Sequence, residues 1–413
     1  MGKNKKSFPL KTVVVVGTLD TKAEEVGYIK EKIEKGGCRV IVIDPGILGK
    51  PGIPADFPRE KVAEAGGKTL QEIISAAEGG ADRAEGTNVM IRGVVEIVKQ
   101  LYSSGDLDGI ISLGGSTGTA IGTTAMKALP IGVPKLAVTT YVDLQYLGNK
   151  DITIMQTPAD ILGLNAIMRK TLSNAAAAIA GMAQVELPKE EFKPLIGLTA
   201  LGLTTPGVLK INLLLKERGY DPIAFHAKTE VLNDLIREGQ ISGVIDLTTF
   251  EVLVPITYHM PESVVENRLS AAGERGIPQI IVPGGLDMHI FGGTKETIPP
   301  EYKDRKLHIH GPNVVLARTT KDEVAKASKI LAKRANKSRG PVAIVVPLRG
   351  FSDVDKEGEA FYDPEADRAF GETMKETVKQ SVEVVEVDAH INDQEFAEQL
   401  MNVFDKITSR SEK

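Results

Sequence analysis

Tryptophan is missing altogether and cysteine occurs once, at Cys38, in a chain of 413 residues. A single thiol permits neither an internal disulfide nor a cysteine-based zinc site, which suits the cytoplasm. The six histidines fall in no metal-binding spacing. No apolar run approaches the ~20 residues of a membrane span; NAAAAIAGMA (174–183) comes nearest. The basic start MGKNKKSFPLK leads into a VVVV run too short and too strand-like for a signal peptide, so it reads as a frayed tail. A net charge of −5 offers no basic excess for nucleic acid or an anionic membrane. Two nucleotide signatures are absent as well. Nothing matches G-x-G-x-x-G, and EAGGKT (64–69) fails as a P-loop because Val62 stands where its first glycine belongs.

What is present is an alternation of short β-branched runs with amphipathic stretches. TVVVVG (12–17), CRVIVID (38–44), DGIISL (108–113), PKLAVTT (134–140) and DITIMQ (151–156) read as strands. Thr21 and Glu24 read as a capping box opening the first helix, and Gly36–Gly37 as its stop. Thr157 with Pro158 reads as the start of a later helix. Strands separated by helices imply parallel sheets covered on both faces. QVELPKEEFKP (184–194) reads as a linker, after which the order of elements recurs. FKPLIGLTALGLTTPG (192–207), YDPIAFHAK (220–228), SGVIDLTT (242–249), GIPQIIVPGGLD (276–287) and KLHIHGPNVVLARTT (306–320) align with the five strands of the first half. The expected organisation is two tandem, duplicated α/β domains, 1–185 and 195–413. The first carries an insertion near 47–95, and the second is extended by strands AIVVPL and VEVVEVD and a closing helix.

In open parallel sheets, ligands bind beyond the carboxyl ends of the strands. Three turns there carry candidate chemistry. In GGSTGT (114–119), Gly114, Gly115 and Gly118 can let amides approach an anion, Ser116, Thr117 and Thr119 add hydroxyls, and a helix N-terminus follows; the alternative is a tight turn capped by Ser and Thr with nothing bound. In GTLDTK (17–22), Thr18 and Thr21 are candidate phosphate donors, Lys22 a mobile cation and Asp20 a Mg²⁺ ligand; helix capping accounts for the same residues equally well. Asp44 ends the second strand, where dinucleotide folds place a ribose-binding acid and where an ordinary turn also wants Asp. The acidic run 351–367 fails as a calcium loop because Pro364 occupies its twelfth position. It reads either as a functional loop, with Arg349 and Asp353 as candidates, or as a solvated lid. His308 and His310 share one strand face and, with Asn313 and Arg318, are either catalytic or interfacial.

Taken together, GTLDTK, GGSTGT, VPKLAVTT, GGLDMHIFG, GFSDVDKEGEAFYDPEAD and HINDQEFA, in this order over essentially the whole chain, resemble a largely uncharacterised family. It is the family that includes the ATP-binding inhibitor domain of the tomato mosaic virus resistance protein. The resemblance implies two Rossmann-like three-layer domains, ATP and Mg²⁺ bound by the first, and a homodimer. It implies nucleotide contacts from Gly17, Thr18, Asp20, Thr21 and Lys22, from Gly114 through Thr119, and from Thr139 and Thr140. Three functions follow as expectations. The first is an ATP/Mg²⁺-dependent enzyme whose small anionic substrate meets His310, Arg318 or Arg349 in a cleft between domains. The second is a nucleotide-responsive binding protein without catalysis. The third is a nucleotide-independent hydrolase or isomerase that holds a substrate phosphate or carboxylate. The second half's equivalent turn, LTTFEV, has no glycine, which implies one phosphate site per chain.

Overall fold

A computed structural model describes residues 10–78, 83–143, 147–148, 150–186, 193–226, 229–268 and 270–411. The basic start (1–9) and most of the expected linker (187–192) lie outside the described residues. The chain divides into two compact units, Met1–Lys189 and Glu190–Lys413.

In the first unit β1 (Thr12–Val16), β2 (Arg39–Ile43), β3 (Gly109–Gly114), β4 (Lys135–Thr139) and β5 (Thr153–Gln156) form one parallel sheet in the order β2-β1-β3-β4-β5. Its helices are α1 (Ala23–Lys35), α2 (Arg59–Ala65), α3 (Leu70–Glu78), α4 (Arg83–Ser103), α5 (Ser116–Lys127) and α6 (Ala166–Ala183). Alternate residues of TVVVV face opposite layers. Val13 and Val15 pack with Ile29 and Ile33 of α1 and Leu172 of α6, while Val14 and Val16 pack with Val94 and Val98 of α4 and Ile121 of α5. The insertion near 47–95 becomes α2, α3 and much of α4 on that second face.

The second unit repeats the plan. Its elements run β6 (Leu195–Ala200), α7 (Thr205–Glu217), β7 (Asp221–His226), α8 (Glu230–Arg237), β8 (Ile241–Thr248), α9 (Val254–Thr257), α10 (Ser270–Arg275) and β9 (Gln279–Gly284). A three-stranded antiparallel sheet of β10 (Met288–Gly292), β11 (Leu307–Gly311) and β12 (Val314–Arg318) follows. Then come α11 (Lys321–Lys337), β13 (Val342–Pro347), α12 (Pro364–Thr377), β14 (Glu383–Val387) and α13 (Gln394–Ser411). The main sheet is ordered β14-β13-β9-β8-β6-β7, so β6, β7, β8, β9 and β13 take the places of β1 to β5. Four of the five aligned segments therefore fall on equivalent strands. The fifth does not: KLHIHGPNVVLARTT pairs with itself as β11 and β12, and AIVVPL supplies the fifth strand. Both sheets are doubly wound, with helices on both faces, as the Rossmann-like expectation required. No helix among the described residues is long and apolar enough to cross a membrane.

Two helix starts differ from expectation. The N-cap of α1 is Lys22, without a side-chain cap; the Thr21 hydroxyl pairs instead with that of Thr18, at 2.9 Å. The helix expected at Thr157–Pro158 begins only at Ala166, where Asn165 accepts from the Met168 amide. Thr157 is buried and its hydroxyl donates to the Ala159 carbonyl, so it holds a turn in place of opening a helix.

Candidate functional site

In the first sheet β2 lies on one side of β1 and β3 on the other, so the winding reverses between β1 and β3. Crevices at such reversals are where doubly wound sheets bind ligands. A cleft of about 320 Å³ opens there, a size suited to a small-molecule site. Thr18, Asp20, Thr21 and Lys22 line it after β1, Pro45, Ile47 and Leu48 after β2, and Gly114 to Gly118 after β3, with Met90 and Ile121 behind.

The GGSTGT segment forms the junction of β3 and α5, with Gly115 as N-cap and no side-chain cap. The amides of Ser116, Thr117 and Gly118 have no acceptor among the described residues. They carry the positive end of α5 to the cleft. The three glycines divide by role. A Cβ on Gly114 would lie 2.8 Å from the Gly118 Cα, so this pair is needed for strand and helix to touch. A Cβ on Gly115 would meet only the Thr140 hydroxyl, at 3.6 Å, so packing does not require glycine there. Ser116 and Thr117 are exposed at the mouth. Thr119 and Thr139 are turned inward: their hydroxyls pair at 2.5 Å, one donating to the other, with the carbonyls of Gly115 and Tyr141 also in reach of Thr119 and Thr139 respectively. They brace the turn and do not line the cleft.

The turn after β1 is held from three sides. Gly17 is buried, its amide donating to the Ile43 carbonyl. Asp20 Oδ2 accepts the amides of Leu48 (2.8 Å) and Gly49 (3.2 Å), seating the apolar loop after β2 against the cleft. Lys22 lines the cleft and is anchored through the Ile161 carbonyl, where a mobile cation was expected. Asp44 is 1% exposed. Its Oδ1 accepts the Leu19 and Gly46 amides, both at 2.9 Å, and burial pushes its carboxyl above the ordinary range. It therefore serves as the turn acid rather than an outward ribose reader.

The second-unit candidates do not form one site. Arg318 is 4% exposed and spends all five donors inside the protein: on the carbonyls of Phe361, Asp287 and Asp363, the Thr319 hydroxyl and Asp367 Oδ1. No donor is left for a substrate anion, which corrects that expectation. Arg349 is exposed and pairs bidentately with Asp388. Asp353 accepts from Asn392, and the exposed His310 stands 6.2 Å, ring to ring, from His308. The acidic run 351–367 is no solvated lid: Phe351 and Phe361 are fully buried, and Asp363 caps α12.

What the sequence did not disclose is a knot of buried carboxylates around Arg318. Asp287, Asp355 and Asp367 are all buried. Burial, reinforced by Asp355, raises Asp287 to about 7. Burial likewise raises Asp355, reinforced by Asp367, and raises Asp367, reinforced by Asp287, while Arg318 opposes both. Ser352 donates to Asp287, and His390 and Asn392 bind the Ser352 and Leu203 carbonyls, so GGLDM, GFSDVD and HIND fasten one another. At the second sheet's own reversal, between β6 and β8, Arg268 fills the crevice, bonding Asp246 and the Thr248 carbonyl at 2.5 Å each. The open turn after β3 thus has no open counterpart there. Among the described residues no group of three or more metal-binding side chains occurs.

Comparison with known proteins covers nearly the whole chain. Residues 11–188 match the model of the "Uncharacterised protein family (UPF0261) N-terminal domain" and residues 193–408 that of its C-terminal domain. A UPF0261 protein of Clostridium tetani is 41% identical over 96% of this chain and 100% of its own length. The ToMV resistance protein Tm-1(GCR237) of Solanum lycopersicum is 33% identical over 97% of this chain and 56% of its own length. Among solved structures, a UDP-N-acetylglucosamine 2-epimerase from Rickettsia bellii covers 66% of this chain and 79% of its own at 9% identity and a TM-score of 0.22, a likeness that bears on neither ligand nor reaction. The chain belongs to the UPF0261 family.

Proposed function

We propose that the first unit binds a nucleotide, with ATP as the ligand, its phosphates held at the amino end of α5. The observation that carries this reading is that the amides of Ser116, Thr117 and Gly118, at the winding reversal of a parallel sheet, have no acceptor among the described residues. The rest of the cleft suits such a ligand. Lys22 and the hydroxyls of Ser116, Thr117, Thr18 and Thr21 offer further donors, while Pro45, Ile47, Leu48, Met90 and Ile121 form an apolar wall for a planar base. Mg²⁺ fits as a companion of the phosphates, since it keeps most of its coordination from phosphate and water and asks little of the protein.

Among the described residues that line the cleft, Asp20 and Lys22 are the ionisable ones, and both are held by main-chain groups. Among the described residues no general base lines the cleft with the amides of α5, which favours binding without chemistry over an ATP-dependent reaction. Calorimetric titration with MgATP, followed by a turnover assay with small anionic metabolites, separates the two. Binding with no turnover supports a nucleotide-responsive protein, and light scattering with and without ATP reports whether its homodimer responds. A rise in melting temperature with a small phosphorylated acid but not with ATP would replace this reading by a substrate-phosphate site.

A further inference from the structure

Asp20 supplies the one carboxylate among the described residues of the cleft lining. A bare carboxylate weakens an anion site unless a donor sits between the two charges. Its geometry shows where that donor belongs. Both main-chain amides that it accepts, from Leu48 and Gly49, go to Oδ2, so the group is pinned while Oδ1 has no donor among the described residues. Gly46 leaves the space beside Oδ1 free of a side chain, since a Cβ there would lie 2.9 Å from it. The position that usually supplies the sugar-binding acid, the end of the second strand, is unavailable: Asp44 is buried with Oδ1 committed to Leu19 and Gly46.

We infer that Asp20 is the specificity residue that accepts hydrogen bonds from the sugar hydroxyls of the bound nucleotide, in place of Asp44 and in place of a metal-ligand role. The inference rests on the nucleotide reading above. It makes the cleft selective for a phosphate joined to a hydroxylated ring over a phosphate alone.

The test compares ATP with 2′,3′-dideoxy-ATP by calorimetry, with Mg²⁺ and with EDTA, on the whole chain and on Asp20→Ala and Asp20→Asn. Hydrogen bonds to a charged acceptor predict a wild-type preference for ATP of about tenfold or more. The preference should fall to within about twofold in Asp20→Ala, the mark of a lost pairwise coupling. Asp20→Asn keeps one carbonyl oxygen for the loop amides, and should lose part of the preference while leaving the melting temperature unchanged. ATP binding with the preference intact in Asp20→Ala would overturn the inference alone. So would a variant that keeps the preference but loses its response to Mg²⁺, which would make Asp20 a metal ligand. Failure of wild type to bind either nucleotide would overturn the nucleotide reading, and this inference with it.

Discussion

Gly115→Asp separates folding from binding more sharply than any other substitution in the turn. Gly115 is the N-cap of α5 and has room for a side chain, its nearest new contact being the Thr140 hydroxyl at 3.6 Å. Asp is among the preferred N-cap residues and exceeds Gly by only a few tenths of a kcal/mol. Its charge adds about 0.3–1 kcal/mol at the positive end of the helix. The melting temperature should therefore hold or rise by a few degrees at most. Binding moves the other way. The new carboxylate caps one of the amides that a phosphate would use, and it stands close to the phosphate itself. At about 4 Å and an effective dielectric near 20, like-charge repulsion is about 4 kcal/mol per unit charge. Even half of that weakens ATP by about 30-fold, and the lost amide takes the expected loss past about 100-fold. Calorimetry and a thermal melt on the same sample read both quantities. An unchanged ATP affinity in a variant that melts at or above wild type would remove the turn from the site.

The other predictions concern packing and charge. Gly114→Ala would push its methyl against the Gly118 Cα and displace α5, with an expected cost of about 1–3 kcal/mol in a denaturant melt and weaker ATP binding besides; an unaltered midpoint would contradict the close approach. Arg318→Ala would leave Asp287, Asp355 and Asp367 without their cation, with an expected loss of about 3–5 kcal/mol of stability and no direct effect on nucleotide contacts. A loss of ATP affinity in a folded Arg318→Ala protein would return Arg318 to the ligand site. Asp287, Asp355 and Asp367 have folded pKa values above the ordinary carboxylate value, so their favourable contribution is complete below about pH 4 and lost as pH rises toward 7 or 8. Glu323 is lowered and acts only at more acidic pH, so denaturant midpoints of the second unit should fall between pH 5 and pH 8; a rise across that window would refute the buried-acid assignment.

Local pattern made much of the fold legible. The β-branched runs become strands of the parallel sheets, and the recurrence of four segments foretells two sheets wound in the same order, because strand identity depends on short-range periodicity. The antiparallel insertion was not legible in this way. HIHGPNVVLARTT has the composition of any strand and turn, and only pairing partners show that it folds on itself. In the candidate site, backbone chemistry was readable where side-chain direction was not. GGSTGT brings amides to a strand end because Gly114 and Gly118 let strand and helix touch there. Whether Asp44, Thr139 or Arg318 faces out or in depends on neighbours distant in the chain: Leu19, Thr119, and Phe361 with Asp367. Charged residue types drew attention to Arg318 as an anion binder, yet its carboxylate partners come from GGLDM and the acidic run 351–367, which no local spacing connects to it.

The most direct measurement is a crystal structure of the protein soaked with ATP and Mg²⁺. A phosphate lying about 2.7–3.2 Å from the amides of Ser116, Thr117 and Gly118 is the predicted result. ATP bound elsewhere on the chain, or a saturating soak that leaves these three amides facing only water, would contradict the assignment of this turn as the phosphate site.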